Sequence, residues 1–163
     1  MFGRGVAAGA LAALLLLTGA AWAEDKEPTA IVEIGGATEW SLTEGGTKLG
    51  PTVAVEFTPI PNWLEIEAGV TSLFGRGQTE WSADLLFKKP FTLSDKVEFM
   101  IGVGPEWKIT GKSVAAEAVL DFMFWPGPER KVGWFLEPSY SYDFGTGHEK
   151  TLGVSVGLLI AIP

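Results

Sequence analysis

The chain has 163 residues, one histidine and no cysteine, with 20 acidic against 12 basic side chains and a formal net charge of −8. That length suits one domain, and the negative balance excludes a nucleic-acid partner, because phosphate demands a basic face. Without cysteine there is no disulfide framework, thiolate zinc site or cysteine nucleophile, and the lone His148 cannot build a multi-histidine metal centre.

The first element is an address. Arg4 supplies positive charge, Val6 to Leu17 form an apolar run, Thr18 and Gly19 break it, and Ala21-Trp22-Ala23 has the small-residue spacing of a cleavage site ahead of Glu24-Asp25. This pattern predicts a secretory signal peptide over residues 1–23, with the run shorter than the roughly 20 residues a membrane helix needs. The remaining residues, 24–163, are expected to form one barrel domain.

From there the chain alternates with period 2, eight times. In the first segment Val32, Ile34, Thr38 and Trp40 oppose Glu33, Gly35, Ala37 and Glu39; in the second, Leu49, Val53, Val55 and Phe57 oppose Lys48, Thr52, Ala54 and Glu56. Ile66, Ala68, Val70 and Phe74 then oppose Glu65, Glu67 and Thr71, and Trp81, Ala83, Leu85 and Phe87 oppose Glu80, Ser82, Asp84 and Lys88. The second half repeats the pattern through Ile101, Ala118, Leu136 and Val156 on one face and Glu106, Glu117, Asp121, Glu137 and Ser155 on the other. Each run is about ten residues, the length of a tilted strand crossing a bilayer. Turns rich in glycine, proline and asparagine separate the runs: Glu44–Thr47, Pro59–Asn62, Gly75–Gly77, Thr110–Lys112, Pro126–Pro128 and Gly145–Gly147. Lys89–Asp95 is expected to be the longest connection. The fold class that follows is all-β, an eight-stranded antiparallel up-and-down barrel.

A soluble, lipocalin-like barrel would turn its apolar face inward, whereas a membrane barrel turns it to lipid. One face of every strand is free of charge through its centre. Its aromatics gather at the strand ends, Trp40, Phe74, Trp81, Trp107 and Tyr142 at one end and Phe57, Phe87, Phe124 and Trp134 at the other. Two such girdles match the two headgroup levels of a bilayer. Val53, Ala68, Leu85, Ile101, Ala118, Leu136 and Val156 are therefore expected to face lipid.

Signal peptide, eight alternating strands and two girdles together resemble the small eight-stranded outer-membrane barrels, the group of outer membrane proteins A, X and W. The likeness is one of architecture over residues 24–163, and it departs in two places. Such barrels commonly end in an aromatic residue, whereas Ala161-Ile162-Pro163 stands here, and they tend to carry longer external loops. The resemblance implies a monomer in the outer membrane of a Gram-negative cell, with lipid around it and periplasmic chaperones and the barrel-assembly machinery as partners in biogenesis. It implies no cofactor.

The interior is the one chemical constellation. An eight-stranded barrel is just wide enough for its own side chains, which disfavours an open porin. By alternation Glu33, Glu67, Asp84, Glu117, Asp121 and Glu137 point inward near mid-depth, a candidate acidic binding site whose metal, if any, is unknown. The inward cations Lys48, Lys88, Lys96, Lys108 and Lys131 are expected near strand ends, with no base at the level of the acids. Carboxylates so crowded cannot all ionise. The leading expectation is a structural or envelope-associated barrel with a polar, acid-rich plug and no catalysis. The alternatives are a narrow cation-selective channel or small-ligand-binding barrel, and then a lipid A-modifying enzyme. The enzyme reading would need His148, Glu149 and Ser155, and Lys150 stands where a deacylase-like H-x-S would place its serine.

Overall fold

The computed structural model describes residues 28–75 and 77–163, so the expected signal peptide, 1–23, lies outside the described residues. Eight strands follow in order: β1 Ala30–Ser41, β2 Thr47–Ile60, β3 Leu64–Phe74, β4 Thr79–Ser94, β5 Val97–Lys108, β6 Ser113–Phe124, β7 Val132–Asp143 and β8 Lys150–Ile162. Each pairs antiparallel with its neighbour, and β1 closes on β8 from Ala30↔Ile162 to Ser41↔Thr151. The barrel is the closed up-and-down meander that the alternation predicts, with no free edge.

The connections 42–46, 75–78, 109–112 and 144–149 lie at one end, here the upper end. Those at 61–63, 95–96 and 125–131 lie at the lower end. Asn62 (φ 59°) and the pair Gly45 and Gly46 (φ 75° and 101°) take the left-handed conformations that tight turns require. The small circumference has its own demand. A side chain at Gly50 would overlap the backbone carbonyl of Ser72, and one at Gly104 would overlap that of Leu85. Glycine lets neighbouring strands bend sharply at these points.

One boundary differs from expectation. β4 does not end at Lys88 but runs on through Pro90↔Met100 and Phe91↔Phe99 to a shift in register between Thr92 and Ser94. The expected Lys89–Asp95 connection is therefore mostly strand, and the true turn is 95–96. Lys88-Lys89-Pro90 interrupts the alternation, and proline, lacking an N–H, reads as a strand end. Cross-strand pairing of the flanking aromatics outweighs that local signal.

The outer face is apolar. Val53, Ala68, Ile101, Ala118, Leu136 and Val156 are exposed and Leu85 is half-buried. At the upper end Trp40, Phe74, Trp81 and Trp107 are exposed, as are Phe57 and Trp134 at the lower end; Phe87, expected in the lower girdle, is mid-strand instead, because β4 runs on to Ser94 and pairs Phe87 with Val103. This is the belt of a transmembrane barrel. Ile101→Arg, in mid-belt on β5, should lower the unfolding free energy by roughly 2–4 kcal/mol in lipid. A urea titration in bilayer vesicles checks this, and an unchanged midpoint would place Ile101 outside the hydrocarbon.

Candidate functional site

Three layers fill the lumen. The lowest is apolar: Ile31, Met100, Met123, Trp125, Phe135 and Leu159 form one buried cluster. Trp125 begins the 125–131 connection and turns back beneath the barrel. Its backbone N–H donates to Lys96 O at 2.8 Å, and its indole Nε1 donates to Glu98 Oε2 at 3.2 Å. Arg130 Nη1 donates to Glu98 Oε1 at 2.8 Å, and its Nη2 donates to Asp95 O at 3.1 Å. The lower mouth is thus closed by packed side chains.

The middle layer is ionic and centres on Lys88, which is 0% exposed. Lys88 Nζ donates to Asp121 Oδ2 and Glu137 Oε2, each at 2.8 Å, and to Glu67 Oε2. Glu56 Oε2 lies 3.6 Å from the same nitrogen. Glu33 completes the ring: one oxygen each from Glu33, Glu56, Glu67 and Asp121 lie within 4.8 Å of one another. These acids come from β1, β2, β3, β6 and β7 and converge because inward positions of a small closed barrel all point at one axis.

Above Lys88 is a polar chamber of about 40 Å³ lined by Glu39, Glu67, Asp84, Glu106, Glu117 and Glu137, with threonine and serine hydroxyls between them. Thr52 and Thr71 hydroxyls meet at 2.8 Å, and Ser141 Oγ donates to Glu106 Oε2 at 2.8 Å. The chamber shares Glu39, Ser82 and Glu106 with an upper vestibule of about 180 Å³. At that mouth Lys48 pairs with Glu80 at 2.7 Å, and Lys108 lies 3.9 Å from Asp143. The path from the upper end therefore narrows and ends on Leu86 and the Lys88 ring.

Of the six acids singled out in the sequence, Glu67, Asp84, Glu117 and Glu137 do share one cavity. Glu33 and Asp121 lie lower, beside Lys88. Equal counts along two strands do not mean equal depth, because tilt and stagger displace each strand against the next. The expectation that every lysine sits near a strand end, with no base among the acids, is corrected. Lys88 is in the interior of β4 and bonds three of those acids. Lys96 and Lys131 are also not lumenal: both are exposed at the lower end, and Lys131 pairs with Glu129. Glu56, inward by parity but near the end of its predicted run, joins the ring as well. His148 and Ser155 are apart: His148 stands on the exposed 144–149 turn against Tyr142, while Ser155 lines the chamber.

No protein-family model matches the chain, and no curated protein matches it in sequence. In three dimensions it is similar to Neisserial surface protein A, with a TM-score of 0.66 and 12% identity over 85% of this chain and 100% of that one. It is also similar to Ail, the attachment invasion locus protein of Yersinia pestis, with a TM-score of 0.56 and 12% identity over 83% of this chain and 99% of that one. A de novo designed transmembrane β-barrel matches at 0.60 and 9% identity, over 85% and 99%. At such identities the likeness is one of fold, that of the small outer-membrane and transmembrane β-barrels.

Proposed function

We propose that the chain is a monomeric outer-membrane protein of a Gram-negative envelope, a plugged and non-conducting scaffold that carries no catalysis. The observation that carries this reading is the double closure of the lumen, by the Lys88 ring at mid-depth and by the Trp125 cluster below it. A solvated ion has no continuous path past both. The chamber then opens only at its upper end, which is the cell exterior when the amino terminus lies in the periplasm, as in the small outer-membrane barrels the chain resembles. Its partners are lipid along the aromatic belt and, during biogenesis, chaperones and the assembly machinery.

The fold by itself assigns no activity, since a designed barrel shares it. Attachment, the role in Ail's name, needs a presented surface, and the upper connections 42–46, 75–78, 109–112 and 144–149 are short. A lipid-modifying site would need His148 and a serine together, and Ser155 faces the chamber instead. In planar bilayers the purified chain should produce no unitary current steps. Steady cation-selective steps would replace this reading with the channel reading.

A further inference from the structure

The middle layer has more acceptors than donors. An ammonium has three N–H groups, and Lys88 uses them on Glu67, Asp121 and Glu137. Its 3.6 Å approach to Glu56 is an ion pair without a hydrogen bond. Oε1 of Glu33 and Oδ1 of Asp121 are left buried with no hydrogen-bond partner, and the carboxyl of Glu56 meets only that of Glu65, a second acid that adds no positive charge. Glu33, Asp121 and Glu56 are 2%, 0% and 1% exposed, so solvent does not make up the deficit. Unpartnered buried carboxylate oxygens are strongly unfavourable, and a fold that gathers them at one point has a missing positive partner.

We propose that Glu33, Glu56, Glu67 and Asp121 form a binding site for a hard divalent cation of the Ca²⁺ or Mn²⁺ class, seated beside Lys88. One oxygen from each lies within 4.8 Å of the others. That span is about twice a Ca–O distance of 2.3–2.6 Å, so the four oxygens can share one coordination sphere with little movement. An all-oxygen donor set selects Ca²⁺ or Mn²⁺ over copper and zinc, which prefer imidazole and thiolate. Mg²⁺ needs a tighter octahedron and keeps several waters, which suits it less to a ring of buried carboxylates. Glu137 stands outside the quartet and accepts one Lys88 N–H, while the other two go to Glu67 and Asp121 inside it, so the ion would sit on the quartet's remaining oxygens. Access is from above. Glu67 lines the chamber as well as the quartet, and Glu39 and Glu106 link chamber to vestibule, so carboxylates mark the route inward from the upper mouth.

The site goes beyond the scaffold reading and stands or falls separately from it, because a bound ion requires no conduction. The test is a titration of the chain, purified from membranes into detergent micelles and stripped with chelator, with Mn²⁺ at near-neutral pH. Free Mn²⁺ is followed by its electron paramagnetic resonance signal. The expected result is one saturable site per chain from which Ca²⁺ displaces Mn²⁺. Glu33→Gln with Glu56→Gln should weaken binding by more than roughly tenfold, the smallest loss seen when even an outer-shell partner of a ligand is removed. Glu129→Gln, at the exposed lower-end ion pair with Lys131, should leave it unchanged. Gel mobility before and after heating reports whether each variant closes its barrel, and if the double variant does not close, Glu56→Gln alone is expected to show the loss. Mn²⁺ that stays free over the wild-type chain would mean that protons neutralise these acids, and the site would be withdrawn. Undiminished binding by the closed variant would place the ion on exposed acids and overturn the proposal equally.

Discussion

Lys88→Met should be among the most damaging single changes in the barrel, lowering the unfolding free energy by about 3–5 kcal/mol. Methionine nearly matches the length of the lysine stem, so its packing over Gly102 is largely kept while the charge is lost. What remains is a ring of carboxylates at 0–8% exposure with no internal cation. Removing one partner of a buried ionic group is costly because the others stay buried and unpaired, whereas neutralising both sides is nearly free. The cycle that isolates this adds Glu67→Gln and Asp121→Asn to Lys88→Met, and the triple variant should recover most of the loss. Urea midpoints in one detergent give all the corners. A Lys88→Met chain as stable as the wild type would mean that water fills the ring, and the closed-lumen reading would fall with it.

The parity of every strand was legible because a membrane barrel writes its two faces in different alphabets, apolar outward and polar inward. Ile34, Val53 and Ile101 against Glu33, Thr52 and Gly102 are enough to set it. Depth was not legible. Asp84 and Glu117 share the chamber while Asp121, on the same strand as Glu117, lies one layer lower beside Lys88. Asp121 stands four residues below Glu117 on β6, but which residues of the other strands share its level, Lys88 of β4 among them, is set by the stagger between strands, and no single strand encodes that. The depth of Lys88 is hidden in the same way, and the interruption of pattern at Lys89-Pro90 conceals the rest of β4 as well.

The apolar layer did leave a signal, although a different one from alternation. Ala30-Ile31-Val32, Phe99-Met100-Ile101, Phe122-Met123-Phe124, Trp134-Phe135-Leu136 and Leu158-Leu159-Ile160 are runs in which the inward residue is apolar too. All five fall at the lower ends of their strands, and their central residues are the strand-borne members of the buried cluster. A local loss of period 2 in a membrane strand therefore marks a plug, with lipid on one face and packed side chains on the other. Trp125 could not be found this way. It stands just past β6, and its inward turn depends on Glu98 and Lys96 from the neighbouring hairpin.

That turn makes Trp125→Ala the second large effect. The indole is 1% exposed and fills the space beneath Met123 and Phe135, so truncation should cost about 3–5 kcal/mol through the cavity it leaves. Trp125→Phe keeps most of the packing and loses the Nε1 bond to Glu98, a smaller loss of about 1 kcal/mol. The stability change alone would not show that Trp125 is a seal. The chain contains no cysteine, which allows a direct readout. With Met123→Cys as the single thiol, a water-soluble maleimide should label it slowly behind the intact indole and rapidly once Trp125→Ala is added. The upper half is governed by other contacts, so the Lys88 ring should hold and bilayer recordings of Trp125→Ala should stay silent. Rapid labelling with Trp125 in place would show that the 125–131 connection swings clear of the lower mouth, leaving the ionic ring as the barrier on which the closed lumen rests.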